Sequence, residues 1–171
     1  MDLQDFRITQ APLKELYARD ATAALLTLKA HGIAGETSVT CNVATARGAA
    51  TAGIHPKAGG SGLDLCSGDM LLEALVACAG VSLKAAAAML EVPIRSASVF
   101  AEGDVDLRGT LGVADDVPVG FREIRLRFEL DTDAPRARLE ELLALVERYC
   151  VIFQTVQKSP RTSVQLDVVS G

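Results

Sequence analysis

Four cysteines are the residues of this chain best suited to covalent chemistry, and two histidines accompany them. They are Cys41, Cys66, Cys78 and Cys150, with His31 and His55. Zinc sites need cysteine and histidine ligands at short, regular spacing, and the sequence contains no CxxC pair and no comparable histidine spacing. We therefore expect no metal and no cofactor. Thiol chemistry remains, because a cysteine thiolate is both a nucleophile and a redox group.

The composition of the chain bears on what those thiols can do. Its 171 residues include 17 Lys and Arg against 22 Asp and Glu, a formal net charge of −5. We therefore expect neither nucleic acid nor a membrane surface as a partner. The N-terminal segment MDLQDFRITQAPLKEL lacks the apolar core of a signal peptide, which predicts a cytoplasmic protein. In that reducing compartment structural disulfides are rare, whereas a transient, catalytic disulfide is allowed.

Cys78 lies near the middle of the segment Ser67–Leu90, which is apolar on nearly every side. From Met70 to Val81 only Glu73 is strongly polar. This pattern predicts a buried central helix of a soluble domain. A membrane span is not expected, because the segment lacks a run of about 18–20 uninterrupted apolar residues and Lys84 soon follows the cysteine.

Cys150 falls on the apolar face of a second predicted helix, which opens at Asp133-Ala134-Pro135. The buried face of that helix is marked at i, i+3, i+4 and i+7 by Leu139, Leu142, Leu143 and Val146. Cys150 follows four residues after the last of these and therefore shares the face. The helix is expected to continue or restart over Val151–Gln157.

Alternating apolar and polar residues predict an antiparallel sheet. The clearest strand is Arg122–Leu130, with apolar residues inward and charged residues outward, and Ala97–Leu107 is expected to accompany it. Cys41 is predicted to point inward from a strand over residues 36–45. Further strands are predicted over residues 24–30, 48–54 and 162–169, and a short helical turn over residues 12–17. The order of the elements predicts a single α+β domain over residues 1–171.

Considered by residue type alone, Cys78 and Cys150 are most simply two core thiols, since cysteine is among the most buried residues. Both helices are expected to pack on the same face of the sheet, so the thiols could approach each other. Spacing in the sequence cannot place their Cα atoms within the roughly 4.4–6.8 Å that a disulfide requires. The pairing is therefore open at this point.

The stretch SGDMLLEALVACAGVSLKA resembles the cysteine helix of the OsmC/Ohr family of thiol-dependent peroxidases. That family has a glycine-rich loop, a carboxylate, a leucine-rich helix start and an AxC motif in mid-helix. The stretch ERYCVIFQTVQKS resembles the family's second hallmark, a cysteine late in the next long helix followed by a short restart. Both motifs occur in the family's order with a strand pair between them. The resemblance covers roughly residues 22–169 and leaves residues 1–21 as an N-terminal extension.

The resemblance implies an OsmC-like fold, in which an antiparallel sheet wraps around a long central helix, and an intertwined homodimer. It implies that Cys78 is the peroxidatic cysteine and Cys150 the resolving cysteine of a hydroperoxide reductase that acts in oxidative-stress defence. Cys78 would become a sulfenic acid, and Cys150 would condense with it to a disulfide that an external dithiol reduces. An apolar pocket would favour organic hydroperoxides as substrates.

The same resemblance implies a charged clamp near Cys78, because burial alone raises the pKa of a thiol. In the family an arginine ahead of the helix is held by a glutamate. Asp69 stands at the glutamate position here, but no arginine occurs between Gly48 and Cys78. The remaining cationic candidates are His55, Lys57 and Arg47. In the second motif, Val151 stands where relatives usually have proline.

Two other functions are compatible with these residues. The departures from the family motifs favour a non-catalytic member of the fold that binds an apolar small molecule between its helices. A cysteine-dependent hydrolase is a weaker alternative, because its general base would have to be His55. Cys66 is assigned no role, although a loop thiol could intercept the sulfenic acid in place of Cys150.

Overall fold

The structure is a computed structural model, and it describes residues 3–168 of the chain. Within those residues the helices are α1 (Leu3–Arg19), α2 (Ser67–Leu90), α3 (Leu107–Thr110), α4 (Arg136–Tyr149) and α5 (Val151–Gln157). The strands are β1 (Gly32–Ala34), β2 (Thr40–Thr45), β3 (Gly48–Gly53), β4 (Leu65–Cys66), β5 (Ser96–Val105) and β6 (Phe121–Asp131). Single 3-10 turns occur at Thr22–Ala24 and Pro56–Ala58. This mixture of elements confirms the predicted α+β class.

The β5–β6 pair is antiparallel along its whole length, as predicted. The apolar residues of β6 are half-buried on its inner face, while the alternate charged residues are exposed. On the outer face Arg125 pairs with Asp104 of β5 at 2.5 Å. The predicted strand Ala97–Leu107 is shorter than expected, because the side chain of Asp106 accepts a hydrogen bond from the backbone of Arg108 and starts α3.

A second sheet has the order β1-β2-β3-β4. The first three strands are antiparallel, whereas β4 pairs with β3 in parallel. The prediction of an antiparallel sheet is therefore wrong for β4. The strand predicted over residues 36–45 begins only at Thr40. Cys41 and Val43 are half-buried on one face of β2, as the alternation predicted.

The strands predicted over residues 24–30 and 162–169 do not form among the described residues, and Val169 lies outside them. Both segments instead expose their large apolar side chains, Leu25, Leu26, Leu28, Val164, Leu166 and Val168. A strand needs a neighbour to satisfy its backbone hydrogen bonds, and neither segment has one in the part of the chain described. The alternation of apolar and polar residues therefore identified segments that resemble strands, but it could not show whether a neighbouring strand was available to pair with them.

Helix α2 has the predicted bounds and makes the core with α4, α5 and β5. Cys66 is the N-cap residue of the helix, and Glu91, its C-cap residue, has a left-handed backbone (φ 55°). One core cluster joins Leu83 and the neighbouring alanines of α2 to the buried Leu142 and Val146 of α4. The predicted buried face of α4 is thereby confirmed.

One side of α2 remains open to solvent within a single chain. Val81 is 72% exposed, and Leu71 and Met89 are also exposed. Within one chain β5 packs against the helix, and the four-stranded sheet reaches it mainly through β4. The wrapped arrangement that the family resemblance implies stays a prediction. By length and composition alone Ser67–Leu90 could also cross a membrane, a test that core helices of soluble proteins pass as well.

Helix α1 is much longer than the turn predicted over residues 12–17, and it contains Pro12 in its interior. Proline usually breaks a helix because it lacks a backbone N–H. Packing along α2 outweighs that preference here. Arg7 of α1 forms an ion pair of 2.8 Å with Glu91 at the end of α2. Asp20 directly follows the last residue of the helix, and its side chain accepts a hydrogen bond from the backbone of Thr22 at 2.9 Å.

Candidate active site

Cys78 and Cys150 lie together in a hydrophobic cluster against the inner face of the β5–β6 pair. Cys78 projects from α2 beside the buried residues Leu75 and Ala79, and Cys150 joins α4 to α5. Both cysteines are free thiols, and a hydrogen bond links their side chains. The structure therefore brings together the two thiols whose approach the sequence left open.

The chain changes direction at Cys150, and this change aims the start of α5 at Cys78. Cys150 has an extended backbone (φ −72°, ψ 107°), although its N–H still donates to Val146 at 2.9 Å. The restarted helix leaves its first N–H groups without partners inside α5. Those of Val151 and Ile152 donate to the sulfur of Cys78.

The pKa of Cys78 lies below that of an ordinary thiol as a result of several opposing influences. Burial is the largest single influence, and it raises the pKa because it disfavours the charged thiolate. The N–H groups of Ile152 and Val151 and the side chain of Cys150 outweigh it, since hydrogen bonds to the thiolate stabilise the charge. Hydrogen-bond donors, rather than the cationic side chain expected from the sequence, therefore account for the lowered pKa.

The pKa of Cys150 is raised, and so the two thiols ionise in a fixed order. Burial is again the largest cause, and the neighbouring Cys78 adds to it, because a thiolate there opposes a second negative charge. Cys150 is fully buried, whereas Cys78 is only half-buried. The more accessible sulfur is therefore the one that loses its proton first, and the proton stays on Cys150.

Ser82 is a site residue that the sequence analysis missed. It lies one helical turn after Cys78 on α2, and its side chain forms hydrogen bonds with both cysteine sulfurs. These bonds lower the pKa of each thiol. The sequence feature that could have identified Ser82 is a hydroxyl four residues after Cys78 in an otherwise apolar segment. A spacing of four residues places two side chains on one face of a helix.

Three of the predicted supporting residues, Asp69, His55 and Lys57, line a different cavity at the beginning of α2. This cavity has a volume of about 650 Å³ and also includes Cys66. Asp69 precedes Cys78 by nine helical residues, which corresponds to about 13 Å along the axis. Within one chain the structure therefore does not bring these residues to the Cys78–Cys150 pair, and their supporting roles stay predictions.

Arg47, the fourth supporting residue, lies in the turn between β2 and β3. It is exposed, and its backbone N–H donates to the side chain of Thr45 at 3.3 Å. No contact within the described part of the chain connects it to Cys78. His55, the base required for a hydrolase, accepts a hydrogen bond from the backbone of Lys57 at 3.1 Å and does not touch the thiol pair.

The described residues contain no group of three or more His, Cys, Asp or Glu side chains that could hold a metal ion. The site is thus built from two sulfurs, a hydroxyl and backbone N–H groups in an apolar surrounding. Such a site can hold one thiolate beside one thiol.

The sequence of this chain matches a known protein family. The model of the family described as OsmC-like protein matches residues 59–165, more than half of the chain. The chain belongs to the OsmC-like protein family. The match includes β4–β6, all of α2–α5 and both cysteines of the pair, and it leaves α1 and β1–β3 outside. Among proteins with curated descriptions, none matches this sequence.

Several solved structures share the OsmC-like fold with this chain. An OsmC-like protein from Mycoplasma pneumoniae is 19% identical, with a TM-score of 0.65 over 78% of this chain and 89% of its own. An organic hydroperoxide resistance protein from Elizabethkingia anophelis is 13% identical, with a TM-score of 0.64 over 79% and 91%. An organic hydroperoxide resistance protein OsmC from Legionella pneumophila is 14% identical, with a TM-score of 0.60 over 78% and 93%. At these identities the likeness establishes the fold alone.

Proposed function

We propose that this OsmC-like protein is a thiol-dependent peroxidase that reduces organic hydroperoxides. Cys78 is its peroxidatic cysteine and Cys150 its resolving cysteine. The observation that carries the proposal is the hydrogen-bonded thiol pair, in which the accessible Cys78 has a lowered pKa and the buried Cys150 a raised one. A peroxidatic cysteine must react as a thiolate, and its resolving partner must lie within reach.

In the first step the Cys78 thiolate attacks the terminal oxygen of the hydroperoxide. A sulfur–oxygen bond forms, the oxygen–oxygen bond breaks, and the sulfur is oxidised by two electrons to a sulfenic acid. The organic product leaves as an alkoxide and takes up a proton to become an alcohol. The Cys150 thiol is positioned to supply that proton, because its hydrogen bond already points at the reacting sulfur.

In the second step the Cys150 thiolate formed by that proton transfer attacks the sulfenic sulfur of Cys78. A disulfide forms, and hydroxide leaves and is protonated to water. An external dithiol then reduces the disulfide by thiol–disulfide exchange and is itself oxidised to a disulfide. The catalytic cycle needs no metal or organic cofactor in this scheme.

Two observations favour organic hydroperoxides over hydrogen peroxide. The half-buried Cys78 is surrounded by apolar side chains of α2, β5 and β6, which would pack against the hydrocarbon part of a substrate. Two of the solved structures that share this fold are named organic hydroperoxide resistance proteins. The reaction would serve oxidative-stress defence in the cytoplasm, where a dithiol reductant is available.

A homodimer is part of this proposal. The open side of α2 and the two exposed strand-like segments, residues 25–28 and 164–168, leave large apolar side chains exposed to water, which is typical of a protein–protein contact surface. Pairing of these segments with a second copy would satisfy their backbone hydrogen bonds and cover α2. We propose that the sheet closes around the central helix only in this assembly.

The test is mass spectrometry of the reduced protein after one equivalent of cumene hydroperoxide. We expect a Cys78–Cys150 disulfide, with Cys41 and Cys66 still free. Cys66→Ser is the matched control, because it removes another half-buried thiol. A Cys78→Ser variant that consumes hydroperoxide at the full rate would contradict the proposal. If all four thiols of the wild type survive, the protein is instead a non-catalytic binder of apolar molecules.

A further inference from the structure

A cavity of about 380 Å³ lies between α1, α2 and α4, apart from the thiol cluster itself. Its volume is within the range of small-molecule sites, which is about 300–1,000 Å³. Helix α1 contributes three of its lining residues, Phe6, Gln10 and Lys14. These residues belong to the part of the chain that lies outside the family match. One wall of the cavity is therefore formed by residues outside the family match.

One end of the cavity adjoins the thiol pair. Ser82 lines the cavity, and its hydroxyl forms hydrogen bonds with the sulfurs of Cys78 and Cys150. Cys78 lies on the same face of α2, one turn before Ser82. Tyr149, which immediately precedes Cys150, also lines the cavity. A molecule held there would lie next to the reactive sulfur.

The walls of the cavity are mainly apolar, with Ala85 and Met89 from α2 and Leu145 from α4. Lys14 is the one charged residue among the described residues that line it. The acidic neighbour of Lys14 on α1, Glu15, is paired with Arg19 at 3.3 Å. Lys14 makes no ion pair within the part of the chain that the structure describes, so its ammonium group is available to a ligand.

The direction of α1 brings Lys14 toward the thiol end. Arg7 pairs with Glu91 at the C-terminal end of α2. Lys14 follows Arg7 by seven residues, about 10 Å along the helix. It lines the cavity together with Val81 and Ser82, which lie earlier in α2. Helix α1 therefore runs along α2 in the opposite direction, and its lysine approaches the thiol pair.

From this arrangement we infer that the cavity is the substrate site and that Lys14 is a specificity residue, which binds the anionic group of a carboxylate-bearing hydroperoxide. The apolar body of the substrate would pack against α2 and α4, while the carboxylate meets the ammonium group of Lys14. The inference rests on the proposed peroxidase function and assigns that function's substrate class. It also gives α1 the role of a cavity wall.

The decisive comparison uses a medium-chain 3-hydroperoxy fatty acid and its methyl ester, in which only the acid is charged. The hydroperoxide and the carboxylate of this substrate lie at one end of its chain, as the thiol pair and Lys14 lie at one end of the cavity. Lys14→Gln is expected to raise the KM for the acid by about fivefold, the scale of a partly exposed charge pair, and to leave the KM for the ester unchanged. Lys14→Glu should raise the KM for the acid further, and Lys14→Arg should restore it. Lys84→Gln is the control, because Lys84 is an exposed lysine of α2 that does not line the cavity.

Turnover of cumene hydroperoxide, which carries no charge, separates this inference from the proposed function. If Lys14→Gln affects the acid and the ester equally while cumene hydroperoxide is reduced, the inference is wrong and the peroxidase function stands. If the wild type reduces no hydroperoxide, the function is wrong. Calorimetric binding of decanoate and decanol then tests whether Lys14 binds an anion in the cavity. Decanoate binding that weakens in Lys14→Gln supports Lys14 as an anion-binding residue. Decanoate binding that does not weaken overturns that role.

Discussion

The Cys150 thiol donates a hydrogen bond to the sulfur of Cys78, and the pKa values of the two groups are displaced in opposite directions. Cys78 ionises first, since the donors around it favour its thiolate, and Cys150 keeps its proton because it is buried beside that charge. One sulfur of this pair is thus prepared for attack and the other for proton donation.

Replacement of the resolving thiol should stop the cycle at its first oxidised state. In Cys150→Ser, the sulfenic acid of Cys78 has no neighbouring thiol to condense with and should persist long enough to be trapped by dimedone. Mass spectrometry after one equivalent of cumene hydroperoxide should show the adduct on Cys78. Turnover should fall by at least tenfold. A disulfide between Cys78 and Cys66 in this variant would show that the loop thiol can act as the resolving group.

Val151→Pro should raise the pKa of Cys78. The substitution removes one backbone N–H that donates to the thiolate, and the backbone is ready to accept it. Val151 is the first residue of α5, where proline is favoured, and Cys150 already has the extended backbone that a following proline requires. Because only the thiolate reacts, alkylation of Cys78 by iodoacetamide should reach half its maximal rate at a higher pH than in the wild type.

Val151→Ala is the control for that experiment, because it shortens the side chain and keeps the N–H group. Its pH profile should coincide with that of the wild type. The measurement is best made with Cys66 and Cys41 replaced by serine, so that only the thiol pair reacts. If the proline variant gives an unchanged pH profile, the start of α5 does not stabilise the thiolate.

The sequence predicted the helices of the site well and their chemical environment poorly. The apolar periodicity of α4 placed Cys150 on the buried face, and the all-round apolar character of Ser67–Leu90 predicted a core helix there. Those patterns are local properties of the chain, set by the 3.6-residue period of a helix. Two of the donors to Cys78 are backbone N–H groups of another helix, and backbone groups leave no residue type to recognise.

The failure to predict α1 has a similar cause. Its mixed composition and Pro12 led us to predict only a short helical turn. In the structure, contacts with α2 and the Arg7–Glu91 ion pair stabilise a helix of 17 residues. Local propensity is a weak guide where tertiary packing opposes it. The strand-like segments near both termini show the reverse case, in which the local pattern was clear but the described chain offers no partner.

Truncation of a core leucine should destabilise the protein far more than truncation of an exposed one. Leu142 is fully buried between α4 and α2, so Leu142→Ala should lower the free energy of unfolding by about 2–5 kcal/mol. Leu63 lies in a loop and is 91% exposed, so Leu63→Ala should change it by less than about 0.5 kcal/mol. Urea unfolding at one fixed protein concentration measures both. Equal losses would mean that α2 and α4 do not form the core described here.

A charge in an exposed strand-like segment should disrupt the proposed homodimer. Leu26 is 79% exposed within one chain, so Leu26→Asp should leave the monomer folded while it opposes burial against a second copy. Light scattering coupled to gel filtration should show the wild type at twice the chain mass of 18.0 kDa and the variant shifted toward the monomer. Val113→Asp is the control, because Val113 is 72% exposed in the connection between β5 and β6. A wild type that stays monomeric at micromolar concentration would contradict the dimer, since the segment would then have no partner to lose.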